Sequence, residues 1–237
     1  MIKEIELEIR LLMIAEMIPK CDVLCDIGTD HAYIPIYAAQ KDLCRKIIAT
    51  DIHEGPLRMA RRNIENYDVS NMIETRIGDG LNCLYDHELD IVLICGMGGL
   101  TITEMLQLQK DKVNKCRQLI IQCMYADEML RGYCYENGLD IVEERICMER
   151  NKLYTAMRIT PGGQQKNLHP VFQHISHALL EQETSLVLKY LDRRITRLTR
   201  VVHGRQNAKE CDSEEIRELN EIIERLKEFK AKSLKGS

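Results

Sequence analysis

No stretch of this sequence approaches the roughly 18 uninterrupted apolar residues that a membrane-spanning helix needs. The stretch from Met1 to Lys20 mixes acids and bases at helical spacing and has no apolar signal core, so the protein is expected in the cytoplasm and away from membranes. There is no CxxC pair and no cysteine–histidine spacing of a metal site. The ten cysteines are scattered singly through apolar runs, as at Cys25, Cys44, Cys83, Cys95, Cys123 and Cys147. That pattern argues against a disulfide framework and predicts mostly reduced thiols packed in the core, with no metal bound. An excess of positive charge is also missing. Lys and Arg number 33 against 37 Asp and Glu, a formal net charge of −4, which excludes a uniformly basic nucleic-acid binder but leaves room for a local basic face.

What is present is ordinary globular composition. With 45% hydrophobic and 30% charged residues, 237 residues suffice for one domain of typical size and a small appendage. Through the first 160 residues, helical patterns alternate with short, nearly continuous apolar runs of the kind buried on both faces of a parallel sheet. Ile5, Ile9, Leu12, Met13 and Met17 are spaced for an amphipathic leading helix that ends at Pro19. Strands are expected at Cys21–Ile27, Lys46–Asp51, Ile73–Ile77, Asp90–Cys95 and Gln118–Cys123. Helices are expected between them, among them Ala32–Gln40 and one from Pro56 to Tyr67. The runs Leu139–Cys147 and Leu153–Ile159, split by the polar turn Glu149-Arg150-Asn151, read as a closing β-hairpin. The expected fold is α/β, a doubly wound, mostly parallel sheet of seven strands rather than a six-stranded dinucleotide-binding plan.

The chain changes character at the linker Pro161-Gly162-Gly163-Gln164-Gln165. Val187, Leu191, Ile195, Leu198 and Val202 then fall within about 80° of one another on a helical wheel, a single apolar stripe. After a loop near His203–Cys211, Asp212 and Glu215 are placed as a capping box for a second helix, with Ile216, Leu219, Ile223, Leu226 and Phe229 as its stripe. Two stripes joined by a short loop predict a helical-hairpin, or coiled-coil, tail. The expected division is therefore 1–160 and 161–237. Opposite the first stripe, Lys189, Arg193, Arg197 and Arg200 form a basic face. Arg194 and Arg205 bring the basic residues between Lys189 and Arg205 to six, against Asp192 alone. Arg58, Arg61 and Arg62 make a second basic cluster. Both read as phosphate contacts for RNA, although a charge run is often only a solvated face.

In an open α/β sheet the ligand binds at the carboxyl ends of the strands, and all four candidate ends here are polar or glycine-rich. The first is Asp26-Ile27-Gly28-Thr29-Asp30-His31, followed by a helix start with free amides. Asp51, 23 residues beyond Gly28 and followed by Ile52, stands where an acid accepts hydrogen bonds from ribose hydroxyls; the plainer alternative is a loop cap. Gly78-Asp79-Gly80-Leu81 adds an acceptor suited to an adenine amino group. Gly96-Met97-Gly98-Gly99 lets a substrate approach the backbone after the fourth strand. A pyrophosphate needs bare backbone at the second glycine position, which is Asp30 here, so a dinucleotide would be repelled. S-adenosyl-L-methionine carries no phosphate and two positive groups, which Asp26 and Asp30 would attract.

In order and spacing these motifs, together with Ala32-Tyr33-Ile34-Pro35 and Gly55-Pro56-Leu57, resemble the bacterial tRNA (adenine-N1)-methyltransferases that modify adenine 22. The match runs from about Arg10 to Tyr154, and the tail is similar to that family's C-terminal coiled-coil domain. One departure is Gln122-Cys123-Met124, where many members have Gln-Pro-Asn. The resemblance implies a Rossmann-like, S-adenosyl-L-methionine-dependent enzyme acting on the tRNA D-arm, with the strand-end residues at the cofactor. Asp30 is the expected electrostatic or proton-accepting group near the acceptor, and His31 is the second choice. A small-molecule methyltransferase with a dimerising tail predicts a capping insertion over the fourth and fifth strand ends, which the sequence lacks. A non-catalytic RNA-binding relic predicts loss of Gly28 or Asp51, and both are present.

Overall fold

The computed structural model describes residues 4–182, 184–207 and 212–234. In chain order the elements are α1 (Ile9–Ala15), β1 (Cys21–Ile27), α2 (Tyr33–Gln40), β2 (Cys44–Asp51), α3 (Glu54–Asn66), β3 (Ile73–Ile77), β4 (Ile91–Met97), α4 (Gly99–Leu108), α5 (Lys110–Val113), β5 (Gln118–Cys123), α6 (Asp127–Glu136), β6 (Leu139–Glu149), β7 (Lys152–Pro161), α7 (Val171–His174), α8 (His177–Leu180), α9 (Ser185–Gln206) and α10 (Ser213–Ser233). Two short 3₁₀ turns lie between β3 and β4.

The seven strands form one sheet in the order β3-β2-β1-β4-β5-β7-β6. The first five are parallel, and the β6–β7 hairpin adds antiparallel to β5. The order reverses between β1 and β4, which makes their carboxyl ends the switch point. The continuous apolar runs have their expected cause. Ile47 and Leu93 face a core shared with α1, α2 and α3, while Ile48 and Val92 face a second core shared with α4 and α6. Among the described residues no helix is long and apolar enough to cross a membrane.

Four local expectations need correction. The leading helix is shorter than its apolar spacing implies: Ile5 lies outside it, with its N–H donating to the Gln40 side-chain oxygen at 2.9 Å, yet it is still buried. Burial is met there by extended chain as well as by helix. Cys44 is not a lone thiol, because parallel register sets it opposite Cys21 with Cα atoms 4.8 Å apart, and the two form a disulfide. Seven other described cysteines are free. In the tail, α9 runs on to Gln206, into the first four residues of the expected loop; residues 208–211 lie outside the described ones. Asp212 caps α10 by accepting from the Glu214 and Glu215 amides, but the Glu215 carboxylate pairs with Arg205 rather than completing a box.

The tail helices share a third core with the hairpin residues Ile146 and Leu153. Ion pairs Asp192–Lys230 and Arg205–Glu215 join opposite ends of α9 and α10 and so mark them antiparallel. Polar bonds add to this apolar contact between α9 and the sheet. Arg131 of α6, with no exposed surface, donates to Asp127, to Glu144 of β6 and to the Tyr190 hydroxyl of α9. Tyr190 donates to Asp127 at 2.7 Å, and Arg194 binds Asp127 and Glu128. Burial works against the charge on Asp127, but Arg131 and Arg194 override it and hold its carboxyl well below the usual range. Arg194 is therefore 7% exposed and lost to the expected basic face, its wheel position lying beside the apolar stripe.

Arg131→Leu would leave Glu144 buried without its partner, a change of a kind that costs about 3 to 5 kcal/mol. Urea unfolding should show a loss of that size, whereas Arg217→Ala, which removes only an exposed pair with Glu214, should barely move the midpoint. A loss below about 1 kcal/mol for Arg131→Leu would mean that the cluster does not hold α9 in place.

Candidate functional site

The carboxyl ends of the central strands are tied into one edge by backbone bonds. Gly28 and Thr29 donate to the Thr50 carbonyl at 2.9 and 2.8 Å, and Gly78 donates to the Asp51 carbonyl at 3.0 Å. Met124 donates to the Met97 carbonyl at 2.8 Å, closing the edge on the β5 side. Gly28 and Gly96 turn the chain at positive φ, +75° and +82°, where side chains are strained. Met97 lies against Gly28, so a Cβ there would collide with its terminal methyl. At Gly96 nothing stands within 4 Å of the missing Cβ, and the backbone is open.

Beside the switch point is a cavity of about 670 Å³. Of the expected residues it brings together Asp26, Gly28, Thr29, Asp30, His31 and Gly96. Asp51, Ile52, Asp79, Gly80, Leu81, Met97 and Gly98 lie outside its walls on the same strand-end edge. Asp26 is buried at the end of β1; burial, and the Asp51 carboxylate nearby, push its carboxyl up to about 6. The Thr29 hydroxyl, buried beside it, pulls the other way by hydrogen bonding to the carboxyl, and burial outweighs it. Asp30 and His31 pair with each other, Nε2 to Oδ2 at 3.2 Å, and the His31 ring stacks on Tyr33. The Asp30 side chain is 74% exposed, so this carboxylate is solvated where that of Asp26 is not.

Asp51 does serve as a loop cap: Oδ1 accepts from the His53 amide at 2.7 Å. A carboxylate has a second oxygen, so the cap does not exhaust Asp51 as an acceptor. Ile52 and Ile77 are exposed on either side of it. The Asp79 carboxylate is also exposed. Its loop is held by Gln109, whose side-chain oxygen accepts from Leu81 N–H at 2.6 Å and whose amide donates to the Asp79 carbonyl.

Two contributors were not legible in the sequence. Gln109, at the end of α4, carries no motif signal because its partner loop is about thirty residues away. Arg10 lines the cavity with Glu6, Glu8, Ile5, Leu7 and Leu11, donates to Gln122 Oε1 at 2.9 Å and lies over the Tyr154 ring. No motif marks it, because Gln122 lies 112 residues away along the chain. At the Gln122-Cys123-Met124 departure, Gln122 is fully buried between Arg10 and the Cys123 carbonyl, and Met124 is exposed.

The Asp26 carboxyl should titrate near pH 6 by carbon-detected NMR, and Asp51→Asn should lower that midpoint by removing a like charge, leaving it above the usual 3.8 because burial persists. The folded form holds this proton more tightly than the unfolded chain does. Its stabilising contribution is thus complete below about pH 4 and lost as pH rises through 6. A midpoint unmoved by Asp51→Asn would uncouple the two strand ends.

Comparison with known proteins converges on one group. Residues 7–157 match the profile of a family described as a methyltransferase domain. The tRNA (adenine(22)-N(1))-methyltransferase of Bacillus subtilis (strain 168) is 35% identical over 159 residues, 67% of either chain. The crystal structure of the B. subtilis M1A22 tRNA methyltransferase TrmK superposes with a TM-score of 0.81 at 28% identity, over 97% of this chain and 99% of that one. TrmK of M. capricolum, solved in complex with S-adenosyl-homocysteine, gives 0.78 at 26% identity over 95% and 98%. A shared fold along nearly the whole chain, with 35% identity across two thirds of it, makes this protein a member of the tRNA (adenine(22)-N(1))-methyltransferase family.

Proposed function

We propose that this protein transfers the methyl group of S-adenosyl-L-methionine to N1 of adenine 22 in the D-arm of tRNA. The observation that carries the reading is the buried Asp26 carboxyl at the switch point, facing a cavity lined also by Thr29 and by the open backbone of Gly96. A buried acid held up to about 6 is set to gain from a cationic ligand, and the cofactor has an ammonium and a sulfonium.

In this reading Asp26, Gly28, Thr29, Asp30 and His31 hold the amino-acid end of the cofactor. Asp51 and Ile52 hold the ribose, Asp79, Gly80 and Leu81 the adenine, and Gly96, Met97 and Gly98 line the methyl-transfer slot. When bound, the cofactor supplies an electrophilic methyl group on sulfur. Adenine N1 has an unprotonated lone pair at neutral pH, so the protein needs no strong base, and in-line positioning accounts for most of the acceleration. As the N1–C bond forms and the C–S bond breaks, positive charge passes to the base. Asp30, held by His31, would stabilise it. N1 lies on the Watson–Crick edge, so the target adenine must be unpaired or flipped out.

Residues 1–160 form the methyltransferase unit in this proposal, and residues 161–237 a helical unit that grips tRNA. Lys189, Arg193, Arg197 and Arg200 are all exposed along α9. Of the second cluster, Arg58 and Arg62 are exposed, while Arg61 is held by Glu54 and Thr75. Arg205, paired with Glu215, contributes less than the sequence implied.

Nucleoside mass spectrometry of an unmodified tRNA transcript incubated with protein and cofactor should show 1-methyladenosine at a single adenine. Asp51→Ala should stay folded yet bind cofactor more weakly by about 1.5 to 3 kcal/mol, the worth of a charge-assisted hydrogen-bond pair. No methylation of any tRNA by cofactor-bound protein would refute the function; wild-type cofactor affinity in the variant would take Asp51 out of the site. Replacing Lys189, Arg193, Arg197 and Arg200 together with Ala should weaken tRNA binding and flatten the slope of log affinity against log salt by as much as about three units, with cofactor affinity unchanged. An unchanged slope would make α9 a solvated face only.

A further inference from the structure

The turn after β5 carries a feature that cofactor binding leaves unused. Met124 and Tyr125 are 43% and 67% exposed, immediately after a strand that is buried almost throughout. Tyr125 is nevertheless fixed. Its ring lies against Gly98, where a Cβ would come within 2.5 Å of the ring and hydroxyl, and its carbonyl accepts from the Gly99 amide at 2.9 Å. The ring is thus pinned by the strand-end turn while most of its surface remains in solvent. Next to it is a cavity of about 250 Å³ lined by Met124, Tyr125, Leu153 and Tyr154, with Arg193 and Arg197 on the α9 side. Neither arginine is deeply committed: Arg193 donates to the Asn151 carbonyl at 2.8 Å, and Arg197, 58% exposed, pairs with Glu128 at 3.1 Å.

A pinned aromatic face, a thioether and two arginines are the elements of a nucleotide subsite: the ring stacks a base and the guanidiniums meet its phosphate. An acidic peptide would use the arginines and leave the ring idle. Resting on the tRNA methyltransferase reading, we propose that this niche holds a nucleotide of the tRNA next to the methylated adenine, with its base on Tyr125 and its phosphate on Arg193 and Arg197. The neighbour, rather than the target itself, is indicated because the niche opens on the α9 side and shares no lining residue with the cavity at Asp26. Arg10, bonded to Gln122 at 2.9 Å and 5.6 Å from the centre of the Tyr154 ring, stands between the niche and the cavity at Asp26. RNA running from the basic face of α9 to the strand-end slot passes the niche on the way.

The test uses the full chain and an unmodified tRNA transcript, reading transcript affinity by anisotropy, cofactor affinity by calorimetry, and KM and kcat separately. Tyr125→Ala should weaken transcript affinity and raise KM about tenfold, the scale of one lost base stack, with cofactor affinity unchanged; Tyr125→Phe should restore both. A transcript made abasic beside the target adenine should cost the wild type a similar factor and cost Tyr125→Ala nothing more. Wild-type affinity in Tyr125→Ala, independent additive losses on the abasic transcript, or loss of cofactor affinity would each overturn the subsite. If the wild type transfers no methyl group but binds the transcript in a Tyr125-dependent way, the enzymatic reading fails and the subsite stands. If it binds no transcript, both fail.

Discussion

The placement of the tail on the sheet depends on one buried charge cluster. Arg131 is enclosed by Glu144, Asp127 and Tyr190, and Arg194 reaches in from α9 to the other oxygen of Asp127. In a low-dielectric interior, such charges are tolerable only when every partner is in place, so the cluster favours a single seating of α9. Asp127 opens α6, directly after the turn of Met124 and Tyr125 at the end of β5. The same bonds that seat the tail therefore hold its basic side next to the strand ends.

The strand-end edge shows a second use of burial. Asp26 and Asp30 are four residues apart and chemically identical, yet one is desolvated and pushed up to about 6 while the other is solvated and paired with His31. Water, rather than residue type, separates the two. A buried carboxyl responds strongly to an arriving cation, and an exposed one carries its charge without a comparable desolvation cost. At Gly96 the turn leaves open backbone where a side chain would stand, whereas Met97 and Tyr125 fill the space beside Gly28 and Gly98.

Much of this arrangement was legible because it depends on local pattern. The strand runs Cys21–Ile27 and Gln118–Cys123 are found where apolar continuity placed them, since strands buried on both faces leave little room for polar residues, while Ile73–Ile77, at the edge of the sheet, keeps Glu74, Thr75 and Arg76 between its two isoleucines. The stripes of α9 and α10 were readable from helical period for a similar reason. What failed was pairing across distance. Arg194 counted as a surface cation until Asp127 and Tyr190 surrounded it, and Cys44 as a lone thiol until register set Cys21 opposite. Ile5 kept its burial but not its helix.

The sequence by itself determined the order of strands and helices, the polar and glycine-rich strand ends, and the amphipathic tail, because each follows from the periodicity or conformational freedom of neighbouring residues. Only the tertiary structure decided which charges are buried and which face solvent, and which distant side chains share a wall. Arg10 against Gln122, Gln109 under the Gly80 loop and Tyr125 on Gly98 are all contacts of this kind. The reason is that electrostatic free energy and stacking depend on distance and dielectric in space, and separation along the chain encodes neither.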